Sequence, residues 1–273
     1  MVTSGDREQC VSYSTENYSI AHSRACNLFD CSRKNKYYQK RMPLKDEPIE
    51  KAIREAIGNS RKGRKKVIVL IRRKRPDMGA SKIRRVYHLK GFALMKRFKT
   101  KMRNNPKNPA IVPMHPNIEW AIDFMHDALV DGRRFRSLNI IDPFNRECKG
   151  IYIRHNLPAT RVIELLEQSF EKYGKPRYIR SDNGPEFISK LFQKWMHDNG
   201  IGWSKIEKGK PQQNCHVERF NKTVREDFFD ANLFFSIDQA NEMAADFQKE
   251  YNYERPHESL NNLTPMEMQK AIV

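Results

Sequence analysis

Between residues 118 and 206 the apolar residues change their spacing in a fixed order, and that order leaves few folds open. Ile118, Trp120, Ile122 and Phe124 alternate with Glu119, Ala121, Asp123 and Met125, the period of a strand with one strongly apolar face. Asp131-Gly132 marks a turn, and residues 135–141 and 150–154 supply two more strand-like runs, so the pattern predicts a three-stranded meander. Pro158 suits the first turn of a helix with Val162, Leu165, Leu166, Ser169 and Phe170 on its buried stripe and Gly174 at its end. Residues 177–181 read as a fourth strand and 189–199 as a helix with Leu191, Phe192 and Trp195 inward. A fifth strand is expected over 201–206, then helices over 216–229 and 237–253. This order predicts an α/β fold, a mixed sheet with helices on its faces.

Three acids stand out within that order. Asp123 lies mid-strand, where a carboxylate is costly unless it is paired, solvated or bound to a metal. Asp182 ends the fourth strand in the stretch Arg180-Ser-Asp-Asn-Gly-Pro-Glu-Phe187. Asn183 and Gly184 tolerate positive φ at little cost, so a tight turn is expected there and the acid faces solvent. An acid so placed caps a helix or binds a metal. Glu218 falls in the first turn of the helix over 216–229, where the helix dipole also favours an acid. Singly, each has a structural reading as a paired edge acid, an Asx turn or a helix-terminus acid. Asp127, Asp142 and Glu186 lie nearby; Asp142-Pro143 reads as a turn and Glu186 as the opening of a helix.

Charge divides the chain in two. Of 51 Lys+Arg and 33 Asp+Glu, residues 1–112 hold 29 basic and 9 acidic side chains, a balance of +20 that exceeds the net charge of +18, the remainder being slightly acidic. The segment 61–107 has 19 basic residues and a single acid, Asp77. Such a split predicts a nucleic-acid-binding region, 1–112, and a region with another task, 113–273. In the basic region Ser19 is a plausible N-cap for a short helix, and residues 32–38 suggest a second. Residues 42–48 read as a linker, and Ile49, Ile53 and Ile57 mark a helix ended by Gly58-Asn59. Residues 64–75 are expected to be helical. Beyond the break at 76–79, Ser81 is placed to cap a helix carrying Ile83, Val86, Tyr87 and Lys90 on one stripe. These two helices form the better helix-turn-helix candidate, with Lys82, Arg84 and Arg85 on the face that would meet DNA. The Asn/Pro-rich stretch 104–109 reads as the linker between the regions.

No apolar run is long enough for a membrane span, and the N-terminus lacks the apolar core of a signal peptide. A soluble cytoplasmic protein is expected. The five cysteines, Cys10, Cys26, Cys31, Cys148 and Cys215, form no C-x-x-C pair, which disfavours both a disulfide framework and a zinc ribbon.

Four motifs in order carry a family resemblance. They are Trp120-x-x-Asp123-Phe124, Ser181-Asp-Asn-Gly-Pro-Glu-Phe187, Gly209-Lys-Pro211-x-x-Asn214-x-x-x-Glu218-Arg-Phe-Asn221, and Tyr251-Asn-x-Glu254-Arg-Pro-His257-x-Ser-Leu260 with Thr264-Pro265 after it. Residues 113–273 resemble the ribonuclease-H-like catalytic core of the retroviral-integrase superfamily. More narrowly they resemble bacterial insertion-sequence transposases encoded in two overlapping frames. The resemblance implies a mixed sheet flanked by helices, a C-terminal helical extension, and an all-α helix-turn-helix-type region before it. It also implies that Asp123, Asp182 and Glu218 form an acidic triad, with 35 residues between the last two.

Phosphodiester cleavage needs an activated water and a stabilised leaving oxygen, which two Mg2+ ions roughly 4 Å apart supply. Mg2+ prefers carboxylate oxygens, Mn2+ is the expected substitute, and Asp123 is the candidate to bridge the ions. A freed DNA 3′-OH can then replace water in a second in-line attack, which is strand transfer without a covalent protein intermediate. Lys210, Asn214 and Arg219 are expected to position DNA or shape the loop before Glu218. The implied partners are double-stranded DNA of the element ends and target, a first-frame protein as fusion or partner, and further copies of the chain on DNA, at the nucleoid. The alternative reading is a DNA-binding regulator or an inactive transposase remnant.

Overall fold

The computed structural model describes residues 3–34, 41–58, 60, 62–94, 113–206 and 214–271. They fall into two compact units, Met1–Ile49 and Glu50–Val273. The first contains α1 (Ser4–Tyr18) and α2 (His22–Leu28) around a small core of Val11, Ala25 and Cys26. A capping box opens α1: the Asp6 N–H donates to the Thr3 hydroxyl and the Thr3 N–H to the Asp6 carboxylate. Ser19, expected to open a helix, instead ends α1 in the left-handed conformation at φ 50°. Only Val11 and Ser14 of α1 are buried, so no apolar period announces this helix in the sequence. The helix expected at 32–38 lies largely outside the described residues.

The division between the units falls within α3 (Arg41–Ile57), which absorbs the stretch read as a linker and has Pro48 in its interior. A proline there removes one N–H, leaving the Leu44 carbonyl without its usual partner. Leu44 is exposed, so water can take that place.

In the second unit α4 (Arg64–Lys74) buries Val67 and Ile71, and α5 (Ala80–Leu89) buries Ile83, Val86 and Tyr87 at helical spacing. Gly79, not Ser81, stands at the N-cap of α5. Lys90 does not extend the buried stripe; it is exposed and pairs with Glu50 at 2.6 Å.

The sheet of this unit has five strands in the order β3-β2-β1-β4-β5. These are β1 (Glu119–Ala128), β2 (Arg134–Ile141), β3 (Cys148–Arg154), β4 (Tyr178–Ser181) and β5 (Gly202–Lys205). β1, β2 and β3 pair antiparallel as a meander, whereas β4 and β5 run parallel to β1. The return to β4 uses α6 (Ala159–Tyr173), and α7 (Pro185–Ile188) and α8 (Lys190–Asp198) lead to β5. Both sheet faces are covered. Trp120, Ile122, Leu138, Ile140 and Ile179 pack with α6 and α8, while Ala121, Ile141 and Ile153 pack with α9 (Cys215–Val224) and α10 (Ile237–Tyr253). In α8 the inward residues are Phe192 and Met196, and Leu191 is exposed, so the buried stripe is rotated from the expected one. α9 runs on into a π-helical turn, Arg225–Phe229, and a short α11 (Pro265–Lys270) follows α10. None of the described helices is long and apolar enough to cross a membrane.

Candidate active site

The parallel pairing of β1 with β4 aligns Glu119 with Tyr178, Trp120 with Ile179 and Ala121 with Arg180. Asp123 and Asp182 each lie two residues beyond the last aligned pair. They therefore stand at the same level of neighbouring strands, whose axes are about 4.8 Å apart. At the end of β4 and just beyond it the chain is held in place by side chains: the Trp203 indole donates to the Ser181 hydroxyl at 3.0 Å, and the Asn183 amide donates to the Ile206 carbonyl at 3.1 Å. Asp182 is exposed and its Oδ1 accepts the Gly184 N–H at 3.0 Å, an Asx turn. Gly184 does not use positive φ here, since its φ is -57°. What it supplies is room: a Cβ would lie 3.1 Å from Asp182 Oδ1 and 3.3 Å from Glu186 Oε2.

Glu218 lies in the first turn of α9, exposed. One turn later on the same helix face, Asn221 donates its amide to Asp123 Oδ2 at 2.8 Å and accepts the Asn139 amide at 2.7 Å. Asn139 is the residue that β2 pairs with Asp123. The Phe124 N–H donates to the other Asp123 oxygen at 2.8 Å. Burial pushes the Asp123 carboxyl up to about 6, and the negative charges of Asp182 and Glu218 push the same way, against the two hydrogen bonds.

The neighbouring acids have structural partners. Asp127 forms an ion pair with Arg225. Asp142 accepts the N–H groups of Asn117 and Phe144 at 2.8 and 2.9 Å. Glu186 pairs with Arg136 at 2.5 Å, and Arg136 also lies over the Phe124 ring. Among the described residues Asp123, Asp182 and Glu218 have no cationic partner. An all-carboxylate donor set suits Mg2+, and burial with mutual repulsion at Asp123 is what a bound cation relieves. The carboxylates feel one another's charge without being gathered into one cluster: no three His, Cys, Asp or Glu side chains among the described residues stand close enough to hold an ion as they are.

Of the residues expected to meet DNA, Lys82, Arg84 and Arg85 are exposed on α5, and Arg219 is exposed beside Glu218. Asn214 is buried immediately before α9. Lys210 lies outside the described residues. Reading by charge passed over Asn221 and Asn139. Asn221 had a signal, three residues after Glu218 on one helix. Asn139 had none, because only the sheet register brings it to Asp123.

Comparison with known proteins gives two matches to families described as integrase core domains, over residues 113–211 and 199–265. The chain is 31% identical over 253 residues to the insertion element IS407 31.7 kDa protein of Burkholderia multivorans, covering 92% of this chain and 91% of that one. It is 32% identical over 251 residues to the insertion element IS476 39.2 kDa protein of Xanthomonas euvesicatoria, covering 92% and 72%. Among solved structures it is similar in fold to a chain of the simian T-cell lymphotropic virus intasome, with a TM-score of 0.53 and 18% identity over 76% of this chain and 70% of that one.

Proposed function

The chain belongs to the bacterial insertion-sequence transposases with an integrase core domain, and we propose that Asp123, Asp182 and Glu218 are its catalytic triad. The reaction is Mg2+-dependent strand cleavage and strand transfer at the ends of its own element. The observation that carries this reading is the β1–β4 register, which sets Asp123, midway along β1, level with Asp182, where β4 leaves the sheet. Bound by the three carboxylates, Mg2+ (two ions, with Mn2+ as substitute) would supply an acidified water and charge neutralisation at the phosphoryl oxygens.

The protein's own part is positional. Asn221 and the Phe124 N–H each occupy one lone pair of Asp123 and leave the others free. The Asx turn fixes the direction of Asp182. Glu218, exposed and without a hydrogen bond or ion pair among the described residues, is free to turn toward them. None of the three is a covalent nucleophile in this scheme. The attacking oxygen comes from water or a DNA 3′-OH, and its new bond to phosphorus forms as the in-line P–O bond breaks, the proton passing to solvent. Lys82, Arg84, Arg85, Lys210, Asn214 and Arg219 are the proposed DNA contacts, residues 1–112 the DNA-binding region, and the first-frame protein and further copies of the chain the partners.

The test is strand transfer of a labelled duplex carrying element ends, in Mg2+, with the first-frame protein supplied. Asp182→Asn should abolish transfer while the thermal transition stays at its wild-type position. Undiminished transfer by that variant would end the proposal. The second reading, a DNA-binding regulator or inactive remnant, draws on the carboxylates not being gathered into one cluster. Absence of transfer by the wild-type chain in both Mg2+ and Mn2+ would favour it.

A further inference from the structure

Helix α9 presents three faces. Val217, Phe220 and Val224 enter the core, and Glu218 and Asn221 face the acidic site. On the third face Arg219 and Thr223 line a cavity of about 410 Å3, whose other walls include Lys66 of α4, Arg146 between β2 and β3, and Arg255 beyond α10. Of its cations, Arg255 is matched by Asp227 at 2.5 Å, and the one acid of the lining, Glu258, is taken by Lys65 at 2.8 Å. Lys66, Arg146 and Arg219 have no carboxylate partner among the described residues. The cavity thus holds three positive charges without an ion-pair partner among the described residues.

It also holds a stranded donor. Arg146 approaches His216 Nδ1 at 2.6 Å. A guanidinium can only donate, so Nδ1 accepts and the ring proton of the neutral imidazole sits on Nε2. That Nε2 is buried and has no acceptor among the described residues. A buried donor without a partner is costly, and so is a half-buried ammonium such as Lys66, which burial and Arg255 bring down to about 8. An oxygen acceptor satisfies the first and a negative charge the second, and an anionic oxygen supplies both.

We propose that this cavity is a phosphodiester subsite, holding a backbone phosphate of the DNA strand whose reacting phosphate lies at Asp123 and Glu218. The proposal rests on the transposase reading and adds to it a place for the strand. An α-helix with its side chains is about 10–12 Å across, so the two faces are no farther apart than that. That is a few nucleotides along a strand at about 3.4 Å per base step. A strand entering the acidic site meets like charge, and the cavity compensates it within one turn of the same helix.

The experiment measures binding of the full chain to a short DNA duplex of arbitrary sequence, by fluorescence anisotropy over a salt series. Each neutralised phosphate contributes about 0.9 to the slope of log K against log salt. Lys66→Gln should make that slope shallower by about one and weaken binding about tenfold at 0.1 M salt, without lowering the thermal transition. Lys66→Arg should restore the wild-type slope. A Lys66→Gln slope equal to the wild type, in a chain that binds DNA, overturns the subsite and leaves the transposase reading standing. Failure of the wild-type chain to show any salt-dependent binding overturns both.

Discussion

Asn221 satisfies two polar groups at once, giving its N–H to Asp123 and its carbonyl to Asn139. Both contacts matter because Asp123 is half-buried and repelled by Asp182 and Glu218. An unsatisfied partner at such a site costs about 1–3 kcal/mol. Residues that orient metal-binding carboxylates typically change affinity or activity by about 10–100-fold when removed. Asn221→Ala should therefore slow transfer by that factor and raise the Mg2+ concentration needed for half-maximal rate. A magnesium titration of the transfer rate checks this, and an unchanged titration midpoint would assign Asn221 a structural role only. The three proposed acids stand out in the sequence by position, Asp123 mid-strand, Asp182 at a strand end and Glu218 at a helix start. Their support was only half legible, since Asn139 acts across a strand pairing that no local pattern records.

Helix α7 is a single turn, yet it fixes the geometry of the Asp182 loop. Phe187 is fully buried, stacks on Phe124 at 4.9 Å and meets Phe192 edge-on at 5.6 Å. Arg136 closes the same element from β2 through Glu186. Phe187→Ala should cost about 3–5 kcal/mol, read from urea denaturation, and should depress transfer even where the protein is still folded. A loss below about 1 kcal/mol would mean that α7 is not anchored by this ring. The strands and the helices that follow them were legible because periods of two and 3.6 alternate between turn residues. The strand order was not, since pairing β4 beside β1 is a long-range choice. α3 was misread because Pro43 and Pro48 look like breakers, and helix packing overrides that signal where the chain can tolerate a missing N–H. In the Asn183-Gly184 turn the residue types were read correctly and the reason was wrong, for Gly184 is there for close approach and not for positive φ.

At the scale of the whole chain, positive charge is concentrated in residues 1–112, but cations also crowd parts of the neutral remainder. His257 shows the effect on stability. Burial lowers its imidazole to about 3, and the charges of Arg255, Lys66 and Arg146 act in the same direction, opposed by a hydrogen bond to the Tyr251 backbone. The ring is therefore neutral in the folded protein at every pH above about 4. In the unfolded chain an ordinary histidine titrates near 6.5. Between these values the unfolded state binds the extra proton, so stability rises with pH across the window and falls on acidification. At pH 5 this single group removes about 2 kcal/mol relative to pH 8. His257→Gln, which cannot titrate, should lose correspondingly less between pH 8 and pH 5 than the wild type. Urea midpoints of both proteins at the two pH values measure the difference, in which the other titrating groups cancel. Equal losses in the two proteins would show that His257 is protonated in the folded state at pH 5, and so is not enclosed by the cations around it.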